Sequence, residues 1–469
     1  MTNLDERICI IGGGPAGVTA AMYLEKKGYK NYSIYEKADY VGGKCYSPTL
    51  VMGKDPNDKR TIEMGAIMGA KTYWAVHEAE EFAGIDHADG PKMSRIYRNK
   101  EGKEIFPFEP MKNFSFKKLF YLIKLKKSVK KIADLMETKY KGYDVNGHRG
   151  VAEGKFDGLS KEVPNHMEHV EGTNPNLKDL CLPFTEFCKK NHVEPVMDIW
   201  VYPFTSFGYG YFDEMPAAYV LKYLDITTTL EFVNTRLWTW KNGTMSIFQG
   251  VDKKLLHPAI LNTEVTNVER PEGGKIKVTI KDAKGSHVEE FDKLIVTTPL
   301  DYFAKFADAD AEEKELFSKI VHEKYVSMAT RQEFGKGPEI SSYIKENMTP
   351  ETRSHLMVFY HRWNDIPDQP IITYSLRNHK GDEDVSYEYT RKTTLDDMSK
   401  CGFPVKKVEI EQEWYYCPHI NTEDYTAGWY DKLDKKQGNR NTYYAGEIIC
   451  FGDMEETCEA SKDLIGRFF

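Results

Sequence analysis

The chain contains 469 residues and carries a formal net charge of −8 at pH 7, a size that predicts about three domains and a charge that argues against a nucleic-acid-binding protein. Its eight cysteines show neither a CxxC pair nor the spacing of a zinc finger, so we expect reduced thiols, no metal site and a cytoplasmic location. The uncharged run Ile8–Leu24 is broken by glycines and follows no basic segment, so we expect neither a cleaved signal nor a transmembrane helix.

The first predicted elements are a strand, a glycine-rich turn, a helix and a second strand. The apolar run Ile8–Ile11 suits a buried parallel strand, and Gly12, Gly14 and Gly17 follow it in the pattern G-x-G-x-x-G. Glu36 ends the second strand at the distance where a carboxylate binds the ribose of a dinucleotide. The segment therefore predicts a Rossmann-type unit whose helix N-terminus faces a pyrophosphate.

A second glycine turn, Gly42-Gly43-Lys44, follows the acidic residue. Such a turn is typical of FAD-binding oxidoreductases rather than of simple NAD domains, so we predict FAD as the cofactor. We place Ala16, Gly43 and Lys44 beside its phosphates, and the alternative for Lys44 is an exposed loop lysine. Cys45 is expected to be a small packed residue, so the flavin is predicted to be held without a covalent bond.

Two further features follow before the first long basic segment. Gly65 and Ala66 form a pair of small residues that would let the backbone approach a flavin ring or ribityl chain. The segment Met93–Phe106 predicts a hairpin whose turn lies at Asn99–Gly102. The first feature extends the predicted flavin site beyond the N-terminal unit.

The segment Lys112–Lys131 is rich in lysine and contains no acidic residue. Its helical periodicity predicts an amphipathic helix, and the apolar positions on one face are Leu119, Leu122, Ile123, Val129, Ala133 and Met136. A solvated surface helix with a core-facing stripe explains this pattern. The alternative is a basic helix in peripheral contact with an anionic membrane, where a lipid substrate would be collected.

The rest of the chain alternates helical and strand-like segments without internal repeats. We predict an α/β protein with a Rossmann-type FAD-binding domain, a helical cap and a mixed-sheet substrate domain. The segment 149–178 is polar and glycine-rich and is expected to be a surface insertion. The predicted divisions are a discontinuous FAD-binding domain of 1–75, 236–299 and 426–469, a mainly helical cap of 76–235, and an α+β substrate domain of 300–425.

Motifs at the two ends of the chain resemble the FAD-dependent amine oxidase superfamily. They are the N-terminal glycine pattern with Glu36 and Gly42-Gly43, and the C-terminal sequence Ala445-Gly446-Glu447. The resemblance implies that Glu447 contacts the ribityl or phosphate region of the flavin. It also implies that the backbone at Val265 meets the adenine.

Longer stretches resemble the flavin-dependent polyunsaturated fatty acid isomerases that form conjugated linoleic acid. These stretches are EMGAIMG (63–69), DGPK (89–92), KYKGYDVNGH (139–148), PFTSFGYGYFD (203–213), PAAYVLKYLD (216–225), LWTW (237–240), HRW (361–363) and YYAGEIICFG (443–452). They cover nearly the whole chain outside 149–178. The resemblance implies that flavin N5 takes a hydride from a free polyunsaturated fatty acid, with linoleic acid as the expected substrate, and returns it at another carbon.

This resemblance also implies residue roles. No catalytic side chain is required, because the flavin carries the hydride. Arg95 would bind the fatty acid carboxylate, and Phe207 and Phe232 would line the substrate tunnel, although a surface arginine and plain core aromatics are the alternatives. Trp240 and Tyr444 are expected near the flavin.

Two differences from the isomerase pattern and two rival functions remain open. The insertion 149–178 is extra, and Ser94 stands where the isomerases carry a second arginine. Both differences bear on substrate choice at the tunnel mouth.

The rival functions are an oxidase or desaturase of amines or isoprenoids on the same fold, and a lipid-binding module like the GDP-dissociation inhibitors. The sequence makes no prediction of oligomeric state.

Overall fold

The computed structural model describes residues 3–87, 91, 94–105, 116–140, 175–224, 226–333, 341–377 and 385–469. Three sequence stretches lie wholly or mostly outside these residues. They are the DGPK motif, the KYKGYDVNGH motif and the polar insertion 149–178. The first residues of the basic segment, 112–115, lie outside them as well.

The described residues form strands and α-helices along the whole chain. The strands are β1 (Ile8–Ile11), β2 (Tyr32–Tyr35), β3 (Thr49–Val51), β4 (Lys59–Thr61), β5 (Arg95–Arg98), β6 (Glu104–Ile105), β7 (Glu264–Glu269), β8 (Ile276–Asp282), β9 (Gly285–Phe291), β10 (Lys293–Val296), β11 (Val321–Gln332), β12 (Ser341–Ile344), β13 (Val358–Tyr360), β14 (Ile371–Leu376), β15 (Val405–His419) and β16 (Thr442–Tyr444). The helices are α1 (Pro15–Lys26), α2 (Trp74–Ala83), α3 (Phe116–Glu137), α4 (Phe184–Asn191), α5 (Met197–Phe204), α6 (Ala217–Tyr223), α7 (Ile226–Val233), α8 (Met245–Lys254), α9 (Leu300–Phe303), α10 (Ala311–Ser318), α11 (Tyr387–Lys400), α12 (Thr422–Thr426), α13 (Trp429–Lys436) and α14 (Met454–Phe468).

A four-stranded parallel sheet carries the predicted nucleotide-binding unit. Its strand order is β16-β10-β1-β2, so neighbouring strands come from the end, the middle and the beginning of the chain. All four residues of β1 are buried, as the apolar run predicted. Gly17 lets α1 pack closely on β1, because a Cβ there would overlap the carbonyl oxygen of Gly12.

The second large sheet has seven strands in the order β15-β11-β14-β13-β12-β5-β6. The pairs are antiparallel except for β12 with β5, which run parallel. The β5–β6 hairpin confirms the turn predicted at Asn99–Gly102. The hairpin lies in the predicted cap segment 76–235, but it extends a sheet built mainly from residues 321–419. The sequence did not predict this pairing, because pairing between distant strands leaves no trace in local periodicity.

Helix α3 places its apolar residues differently from the prediction. Leu125, Ser128 and Ile132 are buried against the protein. The prediction of one core-facing stripe is wrong for Leu119, Leu122 and Ile123, which are exposed. Periodicity indicates which residues share a face, but the burial of each turn depends on whether a neighbouring segment covers it. The N-terminal half of α3 therefore presents an uncovered apolar surface.

Across the described ranges, the structure contains no helix that combines the length and hydropathy needed to cross a bilayer. Long buried runs occur instead in α1, where Ala16–Leu24 are buried, and in α6, where all seven residues are buried.

Candidate active site

A cavity of about 350 Å³ opens at the carboxyl ends of the parallel strands, where α1 begins. Such a position is the usual ligand site of an open α/β sheet. Seven of the predicted cofactor residues line it, namely Gly12, Gly14, Ala16, Glu36, Gly43, Lys44 and Glu447. Four other lining residues were not among the predicted ones, namely His322, Trp414, Tyr415 and Pro418, and the turn Thr297–Thr298 after β10 lines the cavity as well.

The Glu36 carboxylate is fixed by the backbone around the first glycine turn. Its Oε2 accepts a hydrogen bond from the Gly13 amide at 2.7 Å, and its Oε1 accepts one from the Ala38 amide at 2.7 Å. Each carboxylate oxygen can accept a second hydrogen bond. Glu36 is therefore held at the cavity wall with lone pairs remaining for the hydroxyls of a ribose.

Lys44 and Glu447 meet where this first cavity joins a second one. The Lys44 Nζ lies 2.6 Å from the Glu447 Oε2, and both side chains line both cavities. About a fifth of each side chain is exposed. The ion pair thus joins predicted cofactor residues from the N-terminal and C-terminal parts of the site.

The second cavity, of about 70 Å³, contains Gly65 and Ala66 together with Phe207. Its lining also includes five tyrosines from separate segments, which the sequence prediction missed: Tyr73, Tyr209, Tyr223, Tyr325 and Tyr416. Burial raises the pKa of each of these tyrosines, so their hydroxyls stay protonated. We call this cavity the aromatic chamber: its aromatic side chains are neutral, and the Lys44–Glu447 ion pair lies at its junction with the first cavity.

Cys45 lies in the wall of the same chamber and is buried. Burial raises the pKa of its thiol well above the usual value. A buried neutral thiol is a poor nucleophile, which fits the expected packing role rather than a covalent link to a flavin.

A buried ionic network holds the Gly65 loop in place. Glu63 is fully buried and accepts hydrogen bonds from Arg362 Nη1 at 3.1 Å and from the Thr244 amide at 3.0 Å. The hydroxyls of Tyr360 and Tyr374 donate to the Glu63 carbonyl at 3.2 and 2.7 Å. Sequence reasoning missed this network, although an acidic residue directly before the small-residue pair was a signal for it.

A third cavity, of about 20 Å³, contains Arg95 and Phe232 and shares Met68 and Leu237 with the aromatic chamber. The Arg95 guanidinium carbon lies 4.1 Å from the centre of the Phe232 ring. Its Nη2 donates to the Phe232 carbonyl and to the Thr235 Oγ1, the latter at 2.8 Å. The Phe207 and Phe232 rings meet edge to face at 6.4 Å. The structure therefore brings all three predicted substrate residues together along one route.

Three other candidates lie elsewhere. Val265 is buried in β7 and lines none of these cavities, although the Thr263 amide two residues earlier donates to the Glu36 carbonyl at 2.9 Å. Trp240 is buried, and its indole N–H donates to Glu80. The Tyr444 hydroxyl donates to Glu313 at 2.6 Å. The side chains of Trp240 and Tyr444 line none of the three cavities, so the expectation that they lie near the flavin gains no support from the lining residues.

The residues of the first two cavities fit FAD. A Cβ at Gly65 would overlap the Lys44 carbonyl oxygen, so the loop needs glycine there to lie this close. Two buried polar atoms, Thr298 Oγ1 and His322 Nδ1, have no hydrogen-bond partner among the described residues. Both residues line the first cavity, so a polar ligand there would satisfy them.

Comparison with known proteins gives three informative relatives. A crystal structure of a CLA-producing fatty acid isomerase from P. acnes is 42% identical, covers all of both chains and superposes with a TM-score of 0.86. The FAD-dependent oxidoreductase oblC of Cochliobolus heterostrophus is 24% identical over 94% of this chain and 86% of its own. The polyenoic fatty acid isomerase of Ptilota filicina is 22% identical over 64% of this chain and 57% of its own.

The model of one protein family, the flavin containing amine oxidoreductases, matches residues 15–457. These matches confirm the predicted fold class, the two resemblances seen in the sequence and FAD as the cofactor. The chain therefore belongs to the flavin containing amine oxidoreductase family.

Proposed function

We propose that this chain is an FAD-dependent isomerase that moves a double bond of a free polyunsaturated fatty acid, with linoleic acid as the first candidate, to give a conjugated diene. One observation carries the proposal: the Arg95 pocket, the aromatic chamber and the dinucleotide cavity follow one another through shared lining residues. An acyl chain with its carboxylate at one end and a flavin at the other fits this order. The identity to the P. acnes isomerase over the full chain supports the same reading.

Arg95 would bind the substrate carboxylate. A guanidinium can hold a carboxylate through two parallel hydrogen bonds, which fixes direction as well as position. Its present partners are the neutral Phe232 carbonyl and the Thr235 hydroxyl, and stacking on Phe232 orients the group. A carboxylate is a stronger acceptor than either of these, so it can replace them without leaving the guanidinium unpaired.

The chamber beyond Arg95 would hold the diene and exclude water. Met68 and Leu237 form the shared wall, and Phe207 and the tyrosines surround the interior. When bound, FAD supplies a hydride acceptor that can return what it takes, so the overall reaction needs no external oxidant. The chain's own residues therefore serve to place the bis-allylic carbon and to keep the site dry.

No lining tyrosine is poised as a base, because burial raises the pKa of each and keeps its hydroxyl protonated. This fits the expectation that no side chain takes part in the chemistry. Lys44 and Glu447, at the junction of the two larger cavities, would contact the flavin between its phosphates and its ring.

We also propose a cytoplasmic location with peripheral contact between α3 and an anionic lipid surface. Phe116, Leu119, Phe120, Leu122 and Ile123 are between 37% and 72% exposed. Exposed lysines follow along the same helix, at Lys124, Lys126, Lys127, Lys130 and Lys131. Exposed apolar groups beside basic ones match the chemistry of an anionic bilayer surface, which would also deliver a fatty acid.

Incubation of the purified holoenzyme with linoleic acid under nitrogen tests the catalytic proposal. We expect many turnovers of conjugated diene per flavin, measured by ultraviolet absorbance and gas chromatography, while the flavin spectrum stays oxidised. Stoichiometric bleaching of the flavin without diene would instead indicate an oxidase or desaturase. A colourless protein that FAD cannot reconstitute would favour a lipid-binding module like the GDP-dissociation inhibitors.

A further inference from the structure

Two histidines and a glutamate converge outside the three cavities, at the end of α2. His77 Nδ1 lies 2.6 Å from Glu80 Oε2, and His87 Nδ1 lies 3.0 and 3.2 Å from the two Glu80 oxygens. One ligand atom from each residue lies within 4.8 Å of the other two. Glu80 is 5% exposed, whereas about a third of each histidine side chain is exposed. The cluster thus has a buried carboxylate and a solvent-facing side.

The local fold builds this cluster from one short segment. His77 and Glu80 are three residues apart on α2, so their side chains lie on one face. Gly84 ends the helix in the left-handed conformation, with φ of 72°, and the amides of Gly84 and Ile85 both donate to the Glu80 carbonyl. This reversal brings His87 back over the glutamate.

Two tryptophans from the Leu237–Trp240 segment fix the ligand groups. The Trp238 ring stacks on His87 at 4.1 Å and on His77 at 5.4 Å between ring centres. The Trp240 indole donates a hydrogen bond to Glu80 Oε1. That bond leaves Oε2 as the oxygen that faces both histidines. Contacts that orient ligands before an ion arrives are a regular feature of protein metal sites.

We propose that His77, Glu80 and His87 form a binding site for a divalent transition metal, with Zn²⁺ as the ion that suits them best. Two imidazole nitrogens and one carboxylate oxygen are an established zinc ligand set, with water in the fourth position. Each histidine is about one-third exposed, which provides a path of entry for the ion and space for that water. This proposal differs from the sequence prediction of no metal site.

The site serves structure rather than hydride chemistry, because none of its three ligands lines a substrate or cofactor cavity. It lies behind the chamber wall: the Trp238 and Gly69 backbones exchange hydrogen bonds at 3.0 and 3.1 Å, and Gly69 lines the chamber. An ion would tie the end of α2 to the loop containing His87, on which Trp238 stacks. It would therefore stiffen one wall of the proposed active site.

The test uses the FAD-loaded protein after chelation and dialysis. Exposure to micromolar Zn²⁺ should leave about one zinc ion per chain after gel filtration, measured by mass spectrometry of the metal. The same ion should raise Tm by about 3 °C or more, because it binds the folded state. His77→Gln and His87→Gln should each retain less than about a tenth of that zinc, since each removes one of three ligands while keeping hydrogen-bonding groups.

His287→Gln is the matched control, because His287 is an exposed histidine on β9 whose partner is Glu289, outside the cluster. It should bind zinc as the parent does. All eight cysteines are buried, so native thiols do not compete for the ion. Flavin absorbance per chain reports that each variant is folded. The proposal would be overturned if the parent retained no zinc, or if the parent and both ligand variants retained equal amounts. Either result would leave a hydrogen-bonded cluster only.

Discussion

Replacing Arg95 by alanine tests the proposed direction of substrate binding. The guanidinium is the charged group of the third cavity, and its partners there are a carbonyl, a hydroxyl and the Phe232 ring. Arg95→Ala would remove the carboxylate partner without touching the residues that line the dinucleotide cavity. Flavin content and the flavin spectrum should therefore be unchanged.

A hydrogen bond to a charged group contributes about 1.5–3 kcal/mol, and each 1.4 kcal/mol corresponds to a factor of about ten. Arg95→Ala should therefore lower kcat/KM for a free fatty acid by about 10- to 150-fold. The side chain is half-buried, so screening by water favours the lower part of that range. The loss should fall mainly on KM, because the carboxylate is remote from the reacting carbon.

The assay compares diene formation from linoleic acid and from its methyl ester. The parent should prefer the acid, whereas Arg95→Ala should treat the two substrates alike. Arg98→Ala is the matched control: it lies on the same strand, but its guanidinium packs on Phe359 and Phe403. Unchanged kinetics for Arg95→Ala, or an equal loss with Arg98→Ala, would refute the assigned role.

Three further predictions follow from the described contacts. Glu36→Ala should weaken FAD binding at least tenfold in a fluorescence titration, because the carboxylate joins the turn to the ribose; full flavin retention would contradict this contact. Burial lowers the pKa of His361 to about 4, so between about pH 6.5 and pH 4 the unfolded chain binds a proton at this residue that the folded chain does not. Stability is therefore lost as pH falls through this range, and His361→Gln should lose less Tm between pH 7 and pH 5 than the parent. An equal loss in both proteins would exclude this cause. Phe120→Ser should reduce sedimentation with anionic vesicles while Val288→Ser, an exposed control on β9, does not; equal binding of both would exclude α3 as the contact.

The cofactor site was largely predictable from sequence because its geometry is encoded locally. A glycine turn between a strand and a helix has few alternative conformations, so Gly12, Gly14 and Glu36 could be placed at the cavity from spacing alone. Glu447 could be placed at the cofactor site only through the family resemblance, because no motif near Glu447 indicates that it meets Lys44. The resemblance did not place the Val265 side chain at a cavity, because it carries over a backbone position rather than a side chain.

The aromatic chamber was not predictable in the same way. Tyr209, Tyr325 and Tyr416 come from segments whose meeting depends on tertiary packing, and each has the pattern of an ordinary core residue. The prediction of one core-facing stripe on α3 was partly wrong for a related reason, because helical periodicity does not say which turns a neighbouring segment covers. The zinc ligands were missed because His77 and His87 are related through a helix end rather than a fixed motif.

The order β16-β10-β1-β2 has a consequence for the biosynthesis of this protein. The first strand pairs with a strand almost 300 residues later, and the outer strand β16 is synthesised after both of them. Glu447 follows β16 directly, so a ribosome-bound chain has the glycine turn long before it has the other half of the flavin contacts. We therefore expect stable capture of FAD only after Glu447 has been synthesised. The yellow colour of the protein would report a chain in which both halves of the site have been made and have folded together.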